Sequence, residues 1–347
     1  MRNDKDELKY FKFSGQPPGF FYDWSYDYSL MIKKLLFPLR VIVAVLVFLT
    51  LTLSSAFADE VTLEDNALRV AFDSDSGALT RMVDKTTGWV IERRPELGVS
   101  FRLFAPLPDR RWNPVLGQKQ HAVEVKKFSD HEVQIQWTNL LSESGGVLPI
   151  GFTADVTLTN GVLTFNSTLQ NGSPLTVETI DYPYFADFNP PSRDSSIVAI
   201  ALRNKNQELY PHFANGKGYW GVFYPTKTMA DSPFCLIQAP DQGFYVQMDN
   251  ASSNYRLEYT FEQHPGVLSS ITQLVPPEDE IPGTDALWGK DNTDPNAKTP
   301  VYLVFRTCHF VFDPANTTTN LAPIIVRCYN GGMQTGEDIY KQWRSNR

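Results

Sequence analysis

The sequence predicts an all-β protein, a large antiparallel β-sandwich followed by one short C-terminal helix. Three observations predict it. Short alternating or apolar runs succeed one another from Val61 to Tyr329, the pattern of strands with one or both faces buried. Turn residues rich in Gly, Asn and Asp separate them and supply the backbone conformations that reverse a chain. No amphipathic helical period occurs before residue 330, so the many short strands point to packed antiparallel sheets.

The elements follow in order. Val61 to Ala67 is a strand and then a turn. Ala67 to Asp73 alternates, with Leu68, Val70 and Phe72 on one face. Ser74-Asp-Ser-Gly77 turns, Leu79 to Asp84 is the next strand, Lys85-Thr-Thr-Gly88 turns again, and Trp89 to Glu92 follows. The glycines supply the positive-φ positions that such hairpins need. Val99 to Phe104, Ala122 to Phe128 and Glu132 to Trp137 continue the series. Phe152 to Leu158 and Val162 to Leu169 flank Asn160-Gly161, a strong hairpin signal. Later strands are Ser196 to Leu202, Phe234 to Ala239, Gly243 to Asp249, Tyr255 to Phe261, Val301 to Thr307 and Ile324 to Tyr329. Two Pro-rich stretches, Tyr182 to Arg193 and Val275 to Pro300, read as long surface loops.

The last segment changes period. Ile339, Tyr340 and Trp343 fall on one helical face, Thr335 stands where a cap belongs, and Lys341 and Arg344 lie near the end, where cations suit a helix. The chain stops inside this helix. Residues 333–347 therefore read as the start of a linker helix to a missing domain, and the helix is expected to lack its packing partner.

The other end reads as an export signal. Lys33, Lys34 and Arg40 precede an uncharged apolar run from Val41 to Leu53, and Ala56-Phe-Ala58 ends it, the small-x-small pattern of signal cleavage. The signal peptide is read as 31–58, which implies a secreted or periplasmic protein. Residues 1–30 have no periodicity and read as a non-native or disordered leader. The β-sandwich domain is 59–332.

Residues 1–58 hold seven of the 31 basic and five of the 39 acidic residues, so the remainder carries 24 against 34. That acidic surface repels phosphate backbones and argues against nucleic acid. Cys235, Cys308 and Cys328 show no paired zinc spacing. After export Cys308 and Cys328 are the pair that could join, leaving Cys235 buried and free. The five histidines have no metal-ligand spacing, and there is no G-x-S-x-G elbow, H-E-x-x-H or phosphate loop. No metal or cofactor is implied.

At Ala67 to Gly88 the chain resembles the opening hairpins of a galactose-mutarotase-like supersandwich. Such domains stand N-terminal to the barrel of exported glycoside-hydrolase-like proteins. The stretch from Pro323 to Arg327, with Gly336 to Arg344, is similar to the linker that leads from such a sandwich into a (β/α)-barrel. Tyr210-Pro-His-Phe-Ala and Gly218-Tyr-Trp-Gly fit the same class more loosely. The likeness spans about residues 60–347. It implies a carbohydrate partner, a polysaccharide or oligosaccharide, and packing against a barrel that would hold the catalytic carboxylates. Mutarotases use a histidine acid and a glutamate base within the sandwich, and no residue here matches those motifs.

Sugar binding needs flat apolar faces for C–H surfaces and polar groups for hydroxyls. His212, Tyr219 and Trp220 offer both, although a core strand burying Trp220 and Phe223 explains them more simply, since aromatics in sheets usually pack cores. Arg111 and Trp112 lie in a loop, where Trp112 could stack on a sugar, Arg111 could meet a uronate, or both could cover a sheet edge. Asp249 ends a strand, as a ligand to hydroxyls or as a turn former. Asp181, Tyr182, Tyr184 and His309 are of interest because a lyase needs a Tyr or His base and an Arg beside it. The expectation is a non-catalytic sandwich module of a carbohydrate-active protein. The alternative is a self-contained mutarotase-like epimerase or polysaccharide lyase with its site on the concave sheet face.

Overall fold

The computed structural model describes residues 60–346 apart from 121–122, 193–194, 196, 202–206, 211–222, 231–232, 249–254 and 265–301. The signal segment 31–58 and the loop Val275 to Pro300 lie outside the described residues. Along the chain run β1 (Glu60–Glu64), β2 (Leu68–Asp73), β3 (Leu79–Asp84), β4 (Trp89–Glu92), β5 (Arg102–Phe104), β6 (Pro114–Leu116), β7 (Val123–Ser129) and β8 (Glu132–Trp137). Then come β9 (Leu141–Ser142), β10 (Gly146–Val147), β11 (Ile150–Thr159), β12 (Val162–Asn171), β13 (Thr179–Phe188), β14 (Ile197–Ala201), β15 (Gln207–Tyr210) and β16 (Phe223–Ala230). Finally come β17 (Phe234–Gln238), β18 (Gln242–Met248), β19 (Arg256–His264), β20 (Tyr302–Phe310), β21 (Thr317–Asn320), β22 (Ile324–Asn330) and the helix α1 (Met333–Ser345).

The strands form three antiparallel sheets. An N-terminal sheet has the order β1-β2-β3-β4. A front sheet of eight strands runs β10-β9-β6-β5-β13-β20-β19-β16. A back sheet of ten runs β15-β14-β17-β18-β22-β12-β11-β8-β7, with β21 also on β12. The fold is the all-β sandwich that the alternation predicts.

The period of two builds the core directly. Along β11, Ile150, Phe152, Ala154, Val156 and Leu158 are buried while the residues between them are not fully buried. Front-sheet rings meet back-sheet rings across the sandwich. Tyr182 lies 5.2 Å from Phe152 and 5.6 Å from Phe165, and Phe185 lies 5.4 Å from Phe244. The predicted turns are also present. Asn160 and Gly161 have φ of 52° and 73° and close the β11–β12 hairpin. Gly77 combines φ of 69° with a tight approach: a Cβ there would lie 2.5 Å from Ile135 and from Trp137. The Trp137 indole N–H donates to Ser76 O at 2.9 Å, fixing the β2–β3 turn to the back sheet.

Three expectations need correction. Tyr182 to Arg193 is not a surface loop up to Phe188, because β13 is a central, almost wholly buried strand of the front sheet. Pro183 is tolerated there because the β13–β20 register shifts between Asp181 and Tyr184 and again between Phe185 and Phe188. A bulge releases the ladder bond that proline cannot make. Cys308 and Cys328 do not pair; none of the three cysteines forms a disulfide. Cys308 lies on the front sheet and Cys328 on the back sheet, so the sheets hold them apart. Nor does α1 lack a partner: Ile339 and Tyr340 pack on a cluster of Ile200, Phe234, Leu236, Tyr245 and Tyr329. The helix begins two residues before Thr335, and Gly332 is at its N-cap.

Candidate functional site

Strand alternation gives the front sheet two unlike faces. On β20, Leu303 and Phe305 join the core, so Arg306 and Cys308 project from the other side. The strand register then assembles a row. Arg102 on β5 stands opposite Asp181 on β13, Asp181 opposite Cys308 on β20, and Cys308 opposite Glu258 on β19. Arg306 reaches back along β20. The Asp181 carboxylate thus accepts from Arg102 Nε at 2.5 Å and from Arg306 Nη1 at 2.5 Å. Glu258 pairs with Arg256. Arg102, Asp181, Arg306, Cys308 and Glu258 are all buried. Burial, and then the charge of Asp181, pushes the Cys308 thiol well above its ordinary range, so it is a poor nucleophile.

A second polar group sits on the inner side. The His309 ring is fully buried. Its Nε2 lies 2.9 Å from Tyr182 O and its Nδ1 lies 3.1 Å from Tyr255 Oη. A carbonyl can only accept, so Nε2 carries the proton and Nδ1 accepts from the tyrosine hydroxyl. Tyr255 Oη accepts in turn from the Ala322 N–H at 2.6 Å. Burial brings His309 down to about 4 and pushes Tyr255 up to about 12. Both ring nitrogens are engaged, which suits a neutral structural histidine better than a base that must reach substrate.

At one end of the front sheet, β5 runs into the loop that carries Arg111 and Trp112. The Trp112 ring is half-buried and meets Phe104 edge-to-face at 5.1 Å. Arg111 makes a two-pronged pair with Glu178, Nη1 to Oε1 at 2.9 Å and Nη2 to Oε2 at 2.6 Å. The Arg102 guanidinium lies 5.5 Å from the Phe104 centroid. Of the predicted sugar-binding residues, Arg111 and Trp112 are therefore adjacent to one another and to the charged row. His212, Tyr219, Trp220 and Asp249 lie outside the described residues.

The row Arg102–Asp181–Cys308–Glu258 escaped the sequence reading as a unit. One signal was present: Arg306 and Cys308 alternate with Leu303 and Phe305 in an apolar run, so their face had to be polar. Which strands would lie beside it was not readable locally. Among the described residues, no group of three His, Cys, Asp or Glu side chains is arranged to hold a metal.

No family model and no curated protein sequence matches this chain. Solved structures similar to it include a galactose mutarotase-like protein from Lactobacillus casei, at 11% identity and a TM-score of 0.43, covering 78% of this chain and 100% of that one. The alpha-N-acetylgalactosaminidase NagBb from Bifidobacterium bifidum aligns at 9% identity and a TM-score of 0.46, over 82% of this chain and 38% of that one. An alpha-mannosidase from Enterococcus faecalis aligns at 11% identity and a TM-score of 0.44, over 82% of this chain and 31% of that one. None of these alignments assigns a role to a residue of this chain.

Proposed function

We propose that this chain is a non-catalytic N-terminal β-sandwich module of an exported carbohydrate-active protein of glycoside-hydrolase type, whose catalytic barrel would follow α1. The observation that carries the reading is how the acid–base groups of the front sheet are used. Asp181 is clamped between two guanidiniums, and His309 is held between a carbonyl and a tyrosine hydroxyl. Groups so engaged and buried hold strands together and are poorly placed to exchange protons with a sugar. The resemblance of the opening hairpins and of the closing linker to such modules supports the carbohydrate context. Export rests on the segment 31–58, and the partner would be a polysaccharide or oligosaccharide.

The test is an assay of the purified protein for mutarotation of glucose and galactose anomers, by polarimetry, and for eliminative cleavage of uronate polymers. The expected result is no turnover above the uncatalysed rate. Turnover abolished by substitution on the front sheet would overturn the module reading and establish the epimerase or lyase alternative. For export, a reporter fused after Ala58 should leave the cytoplasm; retention would remove that part of the proposal.

A further inference from the structure

The end of the front sheet beside Trp112 carries an exposed aromatic residue on a constrained backbone. Phe312 has a φ of 46° and is 58% exposed. The left-handed region is sparsely populated by aromatic residues, and the bridge between Asp313 and Val177 that follows holds Phe312 in it with its ring toward solvent. The backbone ties Phe312 to the neighbouring strands. Its N–H donates to Glu178 O at 3.1 Å, and the Glu178 N–H donates to Phe104 O at 2.9 Å. Phe104, Glu178 and Phe312 are thereby stitched side by side at one sheet end, with Trp112 against Phe104 and Arg111 against Glu178.

We infer that this rim, formed by Phe104, Arg111, Trp112, Glu178 and Phe312, binds a neutral pyranose unit of a glycan and discriminates against uronates. The inference rests on the carbohydrate context proposed above and adds the class of sugar. Half-buried Trp112 supplies a rigid apolar plane whose ring orientation Phe104 fixes, the surface that a sugar's C–H face needs. Arg111 is 79% exposed at its side chain. Its pairing with Glu178 uses one donor from each Nη and one acceptor site from each Oε. A guanidinium has further N–H groups and a carboxylate further lone pairs. Donors and acceptors therefore stand together beside the aromatic plane, as adjacent sugar hydroxyls, each donor and acceptor at once, require. A sugar carboxylate offers only acceptors. It could accept from the remaining Arg111 N–H groups, but it would leave the Glu178 lone pairs unmet and would stand against the like charge of Glu178, so the rim favours neutral rings.

The experiment is isothermal titration of the purified protein with maltohexaose, cellohexaose, xylohexaose and mannohexaose as neutral probes, and hexagalacturonate as the anionic one. At least one neutral probe should bind. Its affinity should fall about tenfold in Trp112→Ala and in Phe312→Ala and be retained in Trp112→Phe, which keeps a ring. Hexagalacturonate should bind more weakly than that neutral probe. Circular dichroism of each variant guards against loss of fold. Binding unchanged in both alanine variants would overturn the rim as the site while leaving the module reading intact. Tightest binding by hexagalacturonate would overturn the sugar class. Binding by no probe would overturn the inference as a whole, whereas the module reading falls only to turnover in the assays above.

Discussion

His309 Nε2 stands 2.9 Å from the carbonyl oxygen of Tyr182, across the strand pair β13–β20 at the point where the register begins to slip. The bond supplies an acceptor for a ring that is fully buried and fixes its tautomer. Two residues that attract attention as acid–base candidates in the sequence are thus joined as structure.

A pH dependence follows. Burial holds His309 near 4 in the folded protein, against 6.5 when exposed. The unfolded chain therefore binds the proton first, and stability falls as pH drops from 6.5 toward 4. The loss should approach about 3 kcal/mol below that window. Urea unfolding of the wild type and of His309→Asn at several pH values checks this. The wild type should lose stability across the window more steeply than the variant; equal slopes would contradict it.

Glu92 should act in the opposite direction. It is buried at the end of β4 beside Asp187, and one of its oxygens, Oε1, has no hydrogen-bond partner. Burial first, and then the Asp187 charge, raises its carboxyl well above 4.5. The folded state keeps the proton that the unfolded chain has lost, so this group reduces stability as pH rises above 4.5. Glu92→Gln removes the ionisation and should be more stable than the wild type at neutral pH, with a smaller advantage in acid. A variant less stable than the wild type at neutral pH would refute this.

The clamp on Asp181 gives a stability prediction. Asp181→Asn removes the negative charge between Arg102 and Arg306, both buried. Losing the partner of a buried charge costs about 3–5 kcal/mol. Denaturant unfolding should show a loss of this order; a loss below about 1 kcal/mol, the range of exposed pairs, would show that the clamp is not structurally important.

Gly336 governs the docking of α1. A Cβ there would lie 2.7 Å from Tyr329 Oη and 2.8 Å from both Leu236 methyl carbons. Alanine is the better helix former by about 1 kcal/mol, yet Gly336→Ala should destabilise by about 1–3 kcal/mol because the helix must lift from the sheet. Gly332→Ser meets nothing within 4 Å and falls at the N-cap, so it should be neutral or slightly stabilising. Thermal melts and limited proteolysis of the 333–345 segment distinguish the two. A Gly336→Ala protein as stable as the wild type would mean that the helix contributes little to the fold.

Local chemistry determined much of this protein from the sequence alone. Alternation placed one face of each long strand in the core, as in β11, and Asn160-Gly161 and Gly77 set hairpin turns because their positive φ is a property of the residues themselves. The period of Ile339, Tyr340 and Trp343 marked a helix. It could not say what the helix packs on, because Phe234 and Tyr329 belong to strands that meet it only in the folded chain. The same limit hid β13: Pro183 reads as a loop until the bulge and two flanking strands show that no ladder bond is needed there. The charged row is the clearest case. Arg102 and Asp181 are 79 residues apart, and Asp181 and Arg306 are 125 apart. Their meeting depends on strand order and register, set by the packing of whole sheets. Alternation told which face of a half-buried strand such as β11 is inside; which buried charges neutralise one another followed from how the sheets pack.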